Sequence, residues 1–143
     1  MKVCVLYCGI NANDAKLKAF ASKMAEGINS NGHVSEVFDM ALEVGKIVSF
    51  YDYIAVISTS TGLFSKNIPD NVLKFLRAAG SISGKRCSCY LIKKGFRKAK
   101  ALQTLMKTME SEGMYLKVSD ILLNENHAYT IGKHLHIESG LKD

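Results

Sequence analysis

Three short stretches hold the residue types from which a binding site is built. Gly9-Ile10-Asn11-Ala12-Asn13-Asp14 follows a strand-like run and opens a helix-like one. Backbone amides at such a turn face anions, asparagine amides add donors, and Asp14 is a residue type that caps a helix N-terminus. Thr59-Ser60-Thr61-Gly62-Leu63-Phe64 offers hydroxyls, a glycine and an aromatic ring. Lys93-Lys94-Gly95-Phe96-Arg97 offers cations, a glycine that permits close backbone approach and a second ring. No Ser-His-Asp or Cys-His arrangement assembles from the sequence. The four histidines, His33, His127, His134 and His136, have no metal-ligand spacing, and His134 and His136 read as surface residues.

Cys4, Cys8, Cys87 and Cys89 lie in or beside apolar strand-like runs and form no CxxC pair. They read as reduced, buried thiols of a cytoplasmic protein. The 143 residues match one ordinary domain, 1–143, and the 48% hydrophobic and 22% charged composition is globular. No apolar run reaches the ~18 residues of a membrane span. Lys2 to Tyr7 is too short for a secretory signal, so no membrane association is expected. The net charge of +6 is concentrated: Lys85 to Lys107 carries eight basic residues and no acidic one. A local patch of that kind points to an anionic partner.

The elements that position these stretches alternate. Lys2–Tyr7, His33–Met40, Tyr53–Ser58, Arg86–Ile92 and Tyr115–Leu123 read as strands, with Tyr90 and Tyr115 expected in the core. Leu17, Phe20, Ala21, Met24 and Ile28 set a helical stripe from Asp14 to Asn29. A short helix is expected over Ala41–Ser49. Another should run to Ala79 with Pro69 in its first turn, burying Val72, Phe75, Leu76 and Ala79. A third spans Ala99–Glu112, and an irregular one begins at His127 and ends near Glu138. Ser139–Asp143 reads as a frayed tail. Five strands separated by helices predict one α/β domain around a parallel sheet. Ligands of such sheets sit beyond the carboxyl ends of the strands, which selects the loops Cys8–Asn13, Ser58–Lys66 and Lys93–Lys98.

This order of parts resembles the flavodoxin family over residues 2–137. The markers are Tyr51-Asp-Tyr-Ile-Ala-Val-Ile-Ser58, the Ser58-Thr-Ser-Thr-Gly-Leu-Phe64 that follows, and Ile68-Pro69 opening a helix that ends Phe75-Leu76. The resemblance implies a doubly wound five-stranded parallel sheet of order 2-1-3-4-5, with FMN at the switch point. It implies a flavoprotein in which the cofactor carries the electrons and the protein needs no acid, base or nucleophile of its own. The phosphate would meet Gly9, Ile10, Asn11, Ala12 and Asn13. The ring would meet Thr59, Ser60, Thr61, Gly62, Leu63 and Phe64 on one side and Lys93, Lys94, Gly95 and Phe96 on the other. The family's Thr-x-Thr-Gly-x-Thr pattern is degenerate here: Gly9–Asp14 contains no Ser or Thr, and Asp14 puts a carboxylate where the phosphate charge belongs. NADPH-dependent FMN reductases share the fold, but the first loop lacks their arginine.

Two functions follow as expectations. One is FMN-binding electron transfer, an oxidoreductase role with an acidic redox partner matched to the basic stretch. The other is a flavodoxin-fold binding or regulatory module without flavin, taking another anionic small molecule or partner. Nucleic acid is not expected, because Phe96 is the only phenylalanine in Lys85–Lys107 and a stacking platform needs more than one ring.

Overall fold

Three runs, Val3–Cys8, Tyr53–Ser58 and Cys87–Ile92, are buried at every residue. Strands buried on both faces require cover on both faces, the condition met by parallel α/β sheets. The computed structural model describes residues 1–137 and shows that arrangement. Its elements are β1 (Lys2–Cys8), α1 (Ala15–Ser30), β2 (Val34–Asp39), β3 (Tyr53–Ser58), α2 (Asn71–Arg77), β4 (Arg86–Ile92), α3 (Lys98–Ser111), β5 (Tyr115–Leu122) and α4 (Glu125–His134). The sheet order is β2-β1-β3-β4-β5, with every pairing parallel. The register sets Val5 between Val37 and Ala55, and Val56 beside Cys89. Val5, Val56 and Leu91 have no solvent exposure.

Side chains alternate between the two faces. Val3, Val5, Tyr53, Ala55, Ile57 and Tyr90 pack with α1 and α4. Cys4, Leu6, Ile54, Val56, Cys87 and Cys89 pack with α2 and α3. The stripe Leu17, Phe20, Ala21, Met24 and Ile28 is buried as its spacing predicts. Val72, Phe75, Leu76 and Ala79 also point inward. Helices α1 and α4 cross with almost no gap. A Cβ on Gly27 would lie 2.1 Å from the Tyr129 carbonyl oxygen, and one on Gly132 would lie 2.2 Å from that of Met24.

Four expectations change. The segment 41–49 forms turns and no helix. The Asp39 carbonyl accepts from the amides of Leu42 and Glu43, Gly45 adopts φ +98°, and Val48 N–H reaches across to the Ala79 carbonyl at 2.9 Å. A left-handed glycine there breaks any helical run. Pro69 precedes the N-cap Asp70, so α2 starts at Asn71 and ends at Arg77. Tyr115 is 57% exposed; it begins an edge strand, beyond which no further strand pairs among the described residues. Helix α4 is regular and starts earlier, because the Asn124 side chain accepts from His127 N–H at 2.8 Å. The expected frayed tail and the Glu138 end of the last helix lie outside the described residues.

All four cysteines are free and buried. Burial pushes the thiols of Cys4, Cys8 and Cys87 up to about 12 and raises Cys89 further. No helix among the described residues is long and apolar enough to cross a membrane.

Two measurements test this packing. Gly27→Ala and Gly132→Ala each force backbone apart and should cost about 3 kcal/mol or more, read as a lowered unfolding midpoint. Thiol labelling at pH 8 should be silent until denaturant is added. The thiols ionise near 9.0 when unfolded but hold their protons to about 12 when folded. The folded state therefore binds more protons in that window, and stability should fall as pH rises above 9.

Candidate functional site

Beyond β1 the chain turns at buried Gly9. The Asp14 side chain folds across this glycine so closely that a Cβ there would lie 2.6 Å from Asp14 Cβ. Ser58 Oγ donates to the Cys8 carbonyl at 2.8 Å and pins the ends of β1 and β3 together. Asp14 Oδ1 accepts from Leu17 N–H at 2.9 Å, capping α1. Asn13 sits at φ +61°, a region asparagine tolerates better than most residues. Its N–H donates to Asp39 Oδ2 at 2.7 Å, and Asp39 Oδ1 accepts from Ala41 N–H at 2.9 Å. Asp39 is only 5% exposed. Two carboxylates therefore occupy the Asn13, Leu17 and Ala41 amides and put negative charge beside the first loop. The same field raises the Tyr7 hydroxyl: burial is the main cause, followed by Asp39 and then Asp14. The amides of Ile10, Asn11 and Ala12 make no hydrogen bond among the described residues, and these three residues with Asn13 are exposed.

The loop after β3 satisfies its own hydroxyls. Thr59 and Ser60 are buried, with hydroxyls donating to the carbonyls of Ser60 and Gly62, each at 3.2 Å. Thr61 Oγ1 pairs with Ser65 Oγ at 2.8 Å, and Thr61 N–H donates to the Asn67 carbonyl. Leu63 and Phe64 are left facing solvent.

The loop after β4 closes onto this one. Phe96 N–H donates to the Leu63 carbonyl at 2.7 Å. Gly95, at φ +84°, lets the strands of the two loops meet; a Cβ there would lie 3.0 Å from the Leu63 oxygen. The Phe64 and Phe96 rings stack with centroids 5.2 Å apart and planes 18° off parallel. They are 71% and 75% exposed. Lys93 and Lys94 are exposed beside them, with Lys93 N–H continuing the ladder to Leu122. The three predicted loops share one edge. The second and third are hydrogen-bonded together, while the first joins the second through the Ser58–Cys8 hydrogen bond at their bases and along a groove of about 680 Å³ that Ile10, Thr61, Asn67, Leu73 and Thr104 help line.

Two features escaped the sequence reading. Asp39 ends β2, and only the order β2-β1 brings it to the first loop. Lys66, Arg97, Lys100 and Lys107 line one pocket of about 230 Å³ with Gln103 and Thr104. Lys66 comes from the second loop, and Thr104 Oγ1 holds it there by donating to the Lys66 carbonyl at 2.8 Å. The spacing of Arg97, Lys100, Gln103, Thr104 and Lys107 along one helix face was a usable signal.

No family model matches this chain, and no curated protein matches its sequence. Solved structures do match its shape. Oxidised flavodoxin 1 from Bacillus cereus is 18% identical with a TM-score of 0.69, covering 95% of this chain and 100% of that one. Two-electron reduced Megasphaera elsdenii flavodoxin is 16% identical with a TM-score of 0.70, covering 92% and 96%. The Streptococcus pneumoniae TIGR4 flavodoxin is 13% identical with a TM-score of 0.70, covering 94% and 97%. The chain has a flavodoxin-like fold.

FMN, the cofactor this fold implies, was tested against these residues. A phosphate at the first loop would meet the carboxylates of Asp14 and Asp39, and the Leu17 and Asn13 amides are already engaged. A flat ring between Phe64 and Phe96 needs their planes about 7 Å apart, twice a carbon–carbon contact, and the centroids are 5.2 Å apart. As arranged, two carboxylates oppose a phosphate at the first loop, and the stacked rings leave no slot between them.

Asp39→Ala should cost about 2 kcal/mol, because two amides lose their acceptor. Asp14→Ala should cost about 1 kcal/mol, the worth of one N-cap. Denaturant unfolding of both variants measures the difference.

Proposed function

We propose that residues 1–143 act as one flavodoxin-fold binding module whose carboxyl-end edge takes an anionic ligand or partner without FMN as a resident cofactor. The observation that carries this reading is the pair of carboxylates at the first loop: Asp39 on the Asn13 amide and Asp14 capping α1 on the Leu17 amide. The self-satisfied second loop and the stacked Phe64–Phe96 pair support it. So does the excess of cations on the third loop and α3, with Lys93 and Lys94 at a carboxyl strand end. Four buried free thiols suit a reducing, cytoplasmic setting.

A second reading is FMN-dependent electron transfer. The flavodoxin-like fold favours it, as do the unclaimed amides of Ile10, Asn11 and Ala12. FMN would supply the redox chemistry. This chain would hold the phosphate on Gly9–Asn13 and the ring against Thr59–Phe64 and Lys93–Phe96, with an acidic protein docking on the basic face.

Absorbance and FMN titration separate the two. The module reading expects colourless purified protein and no quenching of FMN fluorescence on titration. A yellow protein, or saturable quenching, establishes the second reading instead. In that case Asp14→Thr should tighten FMN by up to about fivefold, since it removes a charge worth roughly 0.3–1 kcal/mol at a helix terminus.

A further inference from the structure

We propose that the Lys66/Arg97/Lys100/Lys107 cleft and the Phe64–Phe96 pair together bind a nucleotide unit, phosphate in the cleft and flat base on the exposed rings. This is the reverse of the flavodoxin polarity, in which the first loop takes the phosphate. The inference rests on the reading that this edge binds an anionic partner, and it names the partner's chemistry.

Four cations converge on one pocket of about 230 Å³. None has an ion-pair partner among the described residues. The nearest acids in sequence, Asp70 and Glu110, do not line that pocket. Like charges repel along a helix face, as Arg97 and Lys100 do at a spacing of three. The Thr104 hydroxyl nevertheless ties the Lys66 backbone carbonyl to α3, which keeps Lys66 on the pocket that Arg97, Lys100 and Lys107 also line. A bound phosphate relieves that repulsion and meets the Arg97 guanidinium and the three ammonium groups together.

The aromatic pair supplies the second half. Phe64 and Phe96 expose their outer faces with no apolar cover, and a near-parallel stack accepts a third flat ring at its end. Lys66 lies two residues beyond Phe64, and Arg97 directly follows Phe96, so ring and cleft are neighbours through both chains. The sequence offers one exposed ring in the basic stretch, since Tyr90 is buried; the Leu63–Phe96 hydrogen bond brings a second to it. An acidic peptide would satisfy the cations and leave the exposed rings without a role. Cations beside stacking rings match the chemistry of a base on its phosphate, supplied by a free nucleotide or by a single-stranded nucleic acid.

Fluorescence anisotropy with a labelled thymidine oligonucleotide of about eight residues tests this on the full chain, with ADP and a polyglutamate peptide as competitors. One phosphate held in the cleft of a single strand predicts a slope of about −0.7 in log K against log salt, a loss of about 2.6-fold between 50 and 200 mM. The Lys100→Gln/Lys107→Gln double variant should weaken binding at least about fivefold at 50 mM salt and flatten that slope. Phe96→Leu should weaken binding at least about fivefold with the slope unchanged. Both variants alter surface side chains, and unchanged unfolding midpoints exclude a folding defect. Displacement by ADP near the oligonucleotide's own concentration assigns the site to free nucleotides; failure of ADP with retained oligonucleotide binding assigns it to single strands. Polyglutamate binding as tight as the oligonucleotide, with Phe96→Leu neutral, overturns the inference and leaves the anionic-edge reading standing. No binding of any of the three overturns both.

Discussion

Three central strands with no face in water constrain everything else in this molecule. Because β1, β3 and β4 are buried at nearly every residue, both sides of the sheet must be roofed by helices. The roof on one side is close enough that Gly27 and Gly132 cannot carry a side chain. The roof on the other side leaves a groove between α2 and α3. No middle face remains for chemistry, so binding is confined to the ends of the strands and the seams between helices. The thiols are inert for the same reason: burial raises their pKa values beyond the range in which a thiolate forms.

Charge along the carboxyl edge is divided. The β1–β2 side holds Asp14, hydrogen-bonded to the Leu17 amide in the first turn of α1, and Asp39, hydrogen-bonded to two loop amides. The β4–α3 side holds Lys93, Lys94, Arg97 and Lys100, with Lys66 reaching over from the second loop. An anion approaching this edge is turned from the first loop toward the third. Flavodoxins hold FMN at the β1–β3 switch point; in this chain Asp14 and Asp39 lie on the β2 side of β1.

The loops also show how a polar segment becomes a closed unit. Ser and Thr hydroxyls in 58–67 look available when read as letters. In the folded chain each finds a neighbour within its own loop or at the end of β1. What the loop then presents outward includes two large apolar side chains, Leu63 and Phe64, beside Lys66. The same inversion holds at 41–50, where the absence of a helix leaves Leu42, Val44, Ile47 and Phe50 exposed.

Element type and order were legible in the residues, because they depend on local spacing. β3 and β4 match their predicted bounds, and α1 shows its stripe, since a buried run or a 3.6-residue period needs no partner to be recognised. The caps at Asp14 and the thiol burial were legible for the same reason. Where spacing was ambiguous, long-range contacts decided: the amide of Val48 bonds to Ala79 and helps hold 41–49 in turns, and an edge position exposes Tyr115. The site was legible as three loops but not as an assembly. Whether Asp39 reaches the first loop, whether Phe64 lies on Phe96, and whether Lys66 joins three cations of α3 depend on strand order and loop approach. Those contacts span sequence separations of 26 for Asn13–Asp39 and 38 for Lys66–Thr104. No local pattern encodes a pairing at that distance; only the packed sheet brings its members together.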